Sequence, residues 1–309
     1  MTGRPGRGVP GESPAGPAAR SLVAMTLAPD VPIRPLGPAD LDACAALAAS
    51  RDWGPERRKW SLLLEATEPY GIDAPDGSLA GAVVLARYGP ALASVGMMLV
   101  AEKYGRQGLG RRLMLHLLDQ AGDATVFLTA TRYGRPLYAQ LGFRVTGRSA
   151  TFLGRFRPGD AESAGPDPTR PARDDDLPAL LRIDRPAFGA DRECLLRRLF
   201  TFTDQLRVLE RDGQPIGYAG VWPNDGTEVI GPLVAPDTEA AQTLITSVAQ
   251  RASDPVRLDF DPERTALAAW VRSHGLAIVN ETAFMVHGTP WPPPGPHDRL
   301  FCPITVALG

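Results

Sequence analysis

Cysteine, histidine and long hydrophobic runs are scarce in this sequence, and each shortage excludes a class of protein. The 309 residues contain three cysteines, far apart, and four histidines, none in a close ligand pair. An odd number of scattered cysteines argues against a disulfide framework or a cysteine-based metal site. No hydrophobic run approaches the roughly 20 residues that cross a bilayer. We therefore expect a cytoplasmic protein that contacts no membrane and binds no metal.

An excess of charge of one sign is also lacking. The formal net charge at pH 7 is only −2. Proteins that bind nucleic acids or anionic membrane surfaces carry a basic patch or a basic excess. We therefore expect no nucleic-acid partner. The length and the 44% hydrophobic content suffice for two ordinary domains with substantial cores.

Composition and element order divide the chain into segments. A Gly/Pro/Arg/Ala-rich stretch opens the sequence, and whether translation starts at Met1 or Met25 stays open. The order β, α, α, β, β, β, α, β, α, β then occurs twice, which predicts a tandem repeat of one fold. The segments are a disordered arm over 1–30, a first domain over 31–157, a linker over 158–173, a second domain over 174–290, and a Pro-rich connector with a final strand over 291–309.

Hydrophobic periodicity gives several of these elements definite bounds. The predicted strands include Leu79–Arg87, Thr227–Val234, Val256–Phe260 and Ala277–His287. The last strand is predicted over Phe301–Leu308 and is expected to dock on the other domain.

A glycine-rich turn between a strand and a helix is the most informative stretch. The apolar run Leu92–Ala101 leads into Gly105, Gly108 and Gly110, and a helix follows. Glycines allow positive φ angles and let a ligand approach the backbone closely. The unpaired N–H groups and the positive dipole end of the helix favour a phosphate or diphosphate. The spacing matches neither a Walker loop nor the dinucleotide fingerprint, and a tight turn without a ligand remains the alternative.

A second motif follows the glycine loop. It consists of a strand, a turn and a short helix with the pattern Leu137-Tyr138-x-x-x-Gly142-Phe143. Together with the glycine loop, in this order and separation, it resembles the GNAT superfamily of acyl-CoA-dependent N-acetyltransferases over residues 31–155. The resemblance implies an α/β (α+β) fold with two tandem GNAT-like domains. Each would be a mixed, mostly antiparallel twisted sheet flanked by helices.

The resemblance also implies a binding mode for acetyl-CoA. The backbone of Met98, Leu99 and Val100 would pair with the pantetheine arm. The family's loop begins with Arg or Gln where this sequence has Gly105, but that position contributes largely through its backbone N–H, so we expect the site to survive. The residues expected to bind the diphosphate are Gly105, Arg106, Gln107, Gly108, Leu109, Gly110 and Arg111.

Tyr138 matches the family's tyrosine near the sulfur atom. The resemblance implies that it protonates the departing thiolate when a primary amine attacks the thioester directly. A phenol is protonated at neutral pH and can act as a general acid, although a packing role is the alternative. No base is assigned, and four carboxylates are candidates by position only: Glu65, Glu68, Asp73 and Glu102.

The second half resembles the same fold by element order, and also a companion domain of such acetyltransferases. At the loop position it has Ala235–Ala240, without Gly-x-Gly. Asp237 and Glu239 at the helix start would suit the helix dipole but repel a diphosphate. We therefore expect no CoA in this half. Asp191 and Arg192 are predicted to form a structural ion pair.

The acceptor is not identified by the sequence beyond an amine, expected to be a small molecule. Trp53, Trp60 and Tyr70 occur in segments that usually frame the acceptor groove, which favours a partly apolar molecule unless they are core residues. The protein is expected to be a monomer or homodimer. Two alternatives to an enzyme stay open: a non-catalytic acyl-CoA sensor, and a structural protein without a ligand.

Overall fold

The structure, a computed structural model, describes residues 26–28, 30–159, 167–289 and 297–308. Within these ranges all strands join one 13-stranded sheet. The strands are β1 (Ile33–Pro35), β2 (Glu68–Asp73), β3 (Leu79–Arg87), β4 (Leu92–Val100), β5 (Thr125–Ala130), β6 (Arg144–Gly154), β7 (Thr169–Pro171), β8 (Gln205–Arg211), β9 (Gln214–Asn224), β10 (Thr227–Val234), β11 (Val256–Phe260), β12 (Ala277–His287) and β13 (Leu300–Cys302).

Eight α-helices in those ranges pack against the sheet. They are α1 (Leu41–Ala49), α2 (Arg57–Ala66), α3 (Leu109–Ala121), α4 (Arg135–Gln140), α5 (Leu177–Phe188), α6 (Glu193–Phe202), α7 (Thr238–Ala249) and α8 (Thr265–Ser273). Nowhere in the described ranges is a helix long and apolar enough to cross a membrane. Most of the predicted arm, Met25 and the Pro-rich connector over 291–296 lie outside these ranges.

The first half follows the predicted element order, and hydrophobic burial explains it. β3 is buried along almost its whole length, as expected for a central strand covered on both faces. Leu113, Met114 and Leu117 of α3 are fully buried at the i, i+1 and i+4 positions of a helix face. α3 connects β4 to its parallel neighbour β5, which is the crossover that a parallel pair requires.

The second half repeats this construction, including an arginine cluster at its start. Arg34 of β1 pairs with Asp40 at 2.8 Å, and Arg170 of β7 pairs with Asp176 at 2.6 Å. Each aspartate also accepts the N–H group three residues before it, at 2.8 and 2.7 Å. The same ion pair and backbone hydrogen bond therefore hold the first turn after the first strand in both halves, which confirms the tandem fold.

The two halves exchange their last strands. The order of neighbouring strands is β5, β12, β6, β11. β12 of the second half is therefore inserted beside β5 of the first half, and β6 of the first half lies beside β11 of the second half. Met285 of β12 is opposite Leu128 of β5, and Phe152 of β6 is opposite Leu258 of β11. The mixed, mostly antiparallel sheet was predicted for each half, but the exchange was not.

Two predicted segments differ from the structure. Residues 169–171, assigned to the linker, form β7 and pair with β8, because Arg170 is held by both Asp176 and Glu210. The predicted strand over 301–308 is limited to β13, which pairs with β10. The residues that follow, 303–308, which we call the tail segment, cross to β4 of the first half. There, Ala307 lies directly over Gly96.

The repeated aspartates predict how stability depends on pH. Hydrogen bonds from Arg170 lower the pKa of Asp176 below its usual 3.8, so the charged form is stabilised in the folded state. This contribution is complete above about pH 5 and is lost as pH falls through the folded pKa. We expect Asp176→Asn to be less stable than the parent at pH 7 and to lose less between pH 7 and 3 in urea unfolding. Asp175→Asn, an exposed neighbour in the same turn, should leave both values unchanged; an equal effect would contradict this assignment.

Candidate functional site

The parallel strands β4 and β5 separate at the centre of the first half. They pair from Leu92, opposite Thr125, to Val95, opposite Leu128, and no pairing continues beyond that point in the described sheet. A β-bulge in β4 places two residues, Met97 and Met98, opposite a single residue of β3, and Met97 has a φ of +49°. Bulges bend a strand away from its neighbour, so the edge of β4 beyond Val95 is left open toward β5.

The glycine loop lies at the end of this open edge. Gly108 has a φ of +78°, and a Cβ there would meet no atom within 4 Å. Gly105 has an ordinary φ of −61°, and Gly110 lies in the first turn of α3. Of the three glycines, Gly108 alone uses the freedom to adopt a positive φ. Arg106 takes the second left-handed position, with a φ of +62°.

Backbone donors converge at the start of α3. Within the described residues, no hydrogen bond engages the N–H groups of Arg106, Gly108, Leu109, Gly110 or Arg111. The side chains of Arg106 and Arg111 are at least partly exposed and form no ion pair in the same ranges. Unpaired N–H groups, a helix dipole and two guanidinium groups suit an anionic ligand such as a diphosphate.

Gln107 is placed differently from its neighbours. Its side-chain Oε1 accepts the N–H of Leu27 at 3.0 Å, and Leu27 is buried. The side chain of Gln107 therefore anchors the segment before β1 and does not point into the row of free donors.

Tyr138 lies on α4, next to the loop. A Cβ on Gly110 would be 3.4 Å from Leu137, the residue before Tyr138. The ring of Tyr138 covers Gly134, where a Cβ would come within 2.8 Å of it. Burial raises the pKa of Tyr138 to about 12, and its hydroxyl makes no hydrogen bond to the described part of the chain. The helix α4, which carries this protonated phenol, thus lies against the first turn of α3.

The four candidate carboxylates are not gathered at this place. Asp73 pairs with Arg34 at 2.7 Å and Glu68 with Arg87 at 2.6 Å, while Glu65 and Glu102 are exposed. The base therefore stays unassigned.

The predicted aromatic groove is also incomplete. Trp60 is fully buried, so it is a core residue. Tyr70 packs against His116 with ring centroids 4.6 Å apart, and Trp53 is 41% exposed. Only Trp53 remains largely open to solvent.

In the second half, the strand edge and the helix start that correspond to those of β4 and α3 are occupied by other parts of the chain. β10 carries the same bulge as β4, since Ala219 faces Leu233 while Val221 faces Ile230. The edge that is open in β4 is here paired with β13, at Leu233 opposite Cys302. Asp237 accepts the N–H of Ala240 at 2.8 Å, so a carboxylate caps α7 where the first half has free donors. The carboxylate at this place agrees with the prediction that this half binds no CoA, which stays a prediction.

A cavity of about 260 Å³ lies between the two halves. Thr129, the first residue of β5 beyond the separation from β4, is part of its wall, as are β6, β11, β12, α5 and the tail segment. Sequence reasoning missed this cavity because its walls come from distant parts of the chain. The lining residues are Thr129, Thr146, Gly147, Arg148, Ser149, Ala187, Phe188, Asp259, Phe260, Asp261, Phe284, Leu300, Phe301, Pro303 and Val306.

Comparison with known proteins gives the same family for both halves. Residues 70–154 match a family model described as an acetyltransferase (GNAT) domain, and residues 180–302 match another with the same description. The uncharacterised N-acetyltransferase YitH of Bacillus subtilis is 29% identical over 265 residues, covering 84% of this chain and 90% of YitH. Together the matched segments make up more than half of the chain, which belongs to the GNAT acetyltransferases.

Solved structures share the fold. A protein of Pyrococcus horikoshii superposes with a TM-score of 0.77 at 20% identity, over 92% of this chain and 98% of that one. A tandem GNAT protein from the clavulanic acid biosynthesis pathway superposes with a TM-score of 0.60 at 16% identity, over 82% and 97%. These structures show the fold alone; the two family matches and the similarity to YitH support an acyl-CoA-dependent N-acetyltransferase with two GNAT domains in tandem.

Proposed function

We propose that the first half binds acetyl-CoA and transfers its acetyl group to a primary amine of a small molecule by direct attack, with Tyr138 as the general acid. The observation that supports this most is the convergence of three features at one place. Free N–H groups at the start of α3, the open edge of β4 and the buried phenol of Tyr138 adjoin one another.

The residues present suit the coenzyme. The loop donors from Arg106 to Arg111 would hold the diphosphate, with Gly105 beside them, and the backbone of Met98, Leu99 and Val100 would pair with the pantetheine arm. Bound acetyl-CoA supplies an acetyl thioester. The separation of β4 from β5 leaves room for that group between the strands, where a continuous ladder would exclude it.

Tyr138 would hold the proton that the leaving sulfur requires. With a pKa of about 12, its hydroxyl stays protonated at every physiological pH. A free thiol is ordinarily the stronger acid, with a pKa of about 8.5. Burial also raises the pKa of a thiol placed beside the phenol, so a thiolate that leaves in this site is a stronger base than a free one and has a greater need for a proton.

A pair of matched glycine variants tests the proposal. Gly108→Asp places a carboxylate beside the free donors without steric contact, since a Cβ there has open space. We expect affinity for CoA to fall roughly ten- to hundredfold from charge repulsion, measured by calorimetry, with thiol release from acetyl-CoA and a panel of amines falling in parallel. Gly77→Asp is the control, because Gly77 has nearly the same φ, +80°, and equally open space.

The outcomes separate the possible functions. Equal CoA affinity in both variants would contradict the loop assignment. Saturable CoA binding without thiol release on any amine would favour a sensor over an enzyme. No binding of CoA at all would overturn the proposal as a whole.

A further inference from the structure

We infer that the acceptor is a small amine with an apolar, aromatic body, and that this body occupies the cavity between the two halves. The inference rests on the proposed function, because it concerns the acceptor side of the same site. It begins from where the cavity lies.

The cavity adjoins the separation of β4 and β5 on both strands. Thr129 lines it and is the first residue of β5 beyond the last paired residue, Leu128. Val306 of the tail segment also lines it, and its neighbour Ala307 covers Gly96, the first residue of β4 beyond the pairing. An amine held in the cavity would therefore face the gap into which the thioester is proposed to enter.

The wall of the cavity is mostly apolar, although the hydroxyl-bearing residues Thr129, Thr146 and Ser149 also line it. Phe188, Phe284 and Phe301 line it together with aliphatic side chains of the tail segment. Phe284 stacks on Phe127 at 5.5 Å between ring centroids, and Phe127 lies 6.4 Å from Phe188, so the aromatic wall is fixed by its own packing. Aromatic rings favour a ligand ring in offset or edge-to-face contact.

Three charged side chains line the cavity, Arg148, Asp259 and Asp261, and each has a partner in the described chain. Asp261 accepts the N–H of Glu263 at 2.9 Å. Arg257 binds both carboxylate oxygens of Asp259 at 2.8 and 3.1 Å. Arg148 is exposed and pairs with Glu263 at 3.1 Å. A sugar amine or polyamine would lose water in this cavity without gaining enough partners, which costs free energy for each unsatisfied group.

The volume of the cavity further restricts the class of acceptor. Ligand sites typically enclose about 300–1,000 Å³, and this cavity has about 260 Å³. From β5 across β12 and β6 to β11 the lining strands span about 14 Å, at the usual strand spacing. A volume of this size suits an arylalkyl amine and is too small to enclose a whole aminoglycoside or a folded peptide.

The test compares phenethylamine and tryptamine with spermidine and glucosamine as acceptors. We expect thiol release from acetyl-CoA with kcat/KM at least tenfold higher for the two aromatic amines. Val306→Trp, which fills the cavity, should raise the KM for phenethylamine at least tenfold and leave the affinity for CoA unchanged. The matched control is Val279→Trp at an exposed valine of β12. Should Val306→Trp fail to fold, Phe284→Leu at a half-buried position should raise the KM for phenethylamine while sparing that for spermidine.

Calorimetry also measures the binding of phenethylamine. Binding and turnover are then measured independently, so a failure of the proposed acceptor can be distinguished from a failure of the proposed acetyl transfer. Preference for spermidine or glucosamine, or no effect of either cavity variant, would overturn the aromatic acceptor and leave acetyl transfer standing. Absence of both binding and turnover with the aromatic amines would also overturn it. Binding that Val306→Trp abolishes, without thiol release from any amine, would support the cavity ligand and refute the transferase.

Discussion

Replacing Tyr138 with phenylalanine is expected to lower kcat by roughly 10²- to 10⁴-fold, the usual contribution of a general acid. The variant removes only the hydroxyl, and the ring continues to pack over Gly134 and against Phe143, whose ring centroid is 6.0 Å away. Stability and affinity for CoA should therefore be unchanged. Thiol release at saturating acetyl-CoA and amine measures kcat, and calorimetry measures the affinity.

Tyr133→Phe provides the control, since Tyr133 is 78% exposed and close in sequence. It should leave kcat within twofold. Because the pKa of Tyr138 is raised to about 12, ionisation of this phenol should cause no loss of activity as pH rises to about 10. An unchanged kcat in Tyr138→Phe would assign the residue to packing.

Replacing Arg192 with alanine is expected to destabilise the protein by about 3–5 kcal/mol, because it strands a buried charge. Arg192 is fully buried and binds both oxygens of Asp184 at 2.8 and 2.7 Å, and Tyr218 donates to the same carboxylate. Its guanidinium also lies 4.3 Å from the ring centroid of Phe188, which lines the cavity. Urea unfolding measures the loss.

Arg197→Ala is the matched control on the adjacent helix. Arg197 forms an exposed pair with Glu193, and exposed pairs are worth about 0–1 kcal/mol. Equal losses in the two variants would show that burial of Arg192 is not the cause. The sequence predicted Asp191 as the partner of Arg192, which is wrong. Asp191 pairs with the exposed Arg185, while the partner of Arg192 is Asp184, about one turn before the end of α5.

Local patterns in the sequence were sufficient for the elements around the candidate site. The strands Leu79–Arg87, Thr227–Val234, Val256–Phe260 and Ala277–His287 occur with the predicted bounds, because apolar and β-branched residues recur along each of them and turn residues lie nearby. The order of strand, glycine loop, helix and Tyr138 is local as well. The roles assigned to these residues stay predictions, as does the division of the chain into domains.

The pairing of strands that are far apart in the sequence could not be predicted from local patterns. β6 and β12 occupy the same place in two equivalent halves and both mix polar with apolar residues, so nothing in their composition says which half each completes. A repeated spacing in the sequence does predict β7. Arg34-Pro35 precedes Asp40-Leu41 by the same spacing with which Arg170-Pro171 precedes Asp176-Leu177. No local pattern in the sequence indicates the acceptor cavity, because its lining residues are adjacent only after the strand exchange.

The exchanged strands also have a consequence for synthesis on the ribosome. β5 emerges with one edge bare, and its partner β12 is translated about 150 residues later, which takes about 7 to 30 s at ordinary elongation rates. During that interval the nascent chain carries an unpaired strand edge, the feature that promotes association between chains. The first half therefore reaches its final strand pairing only after the second half has been synthesised.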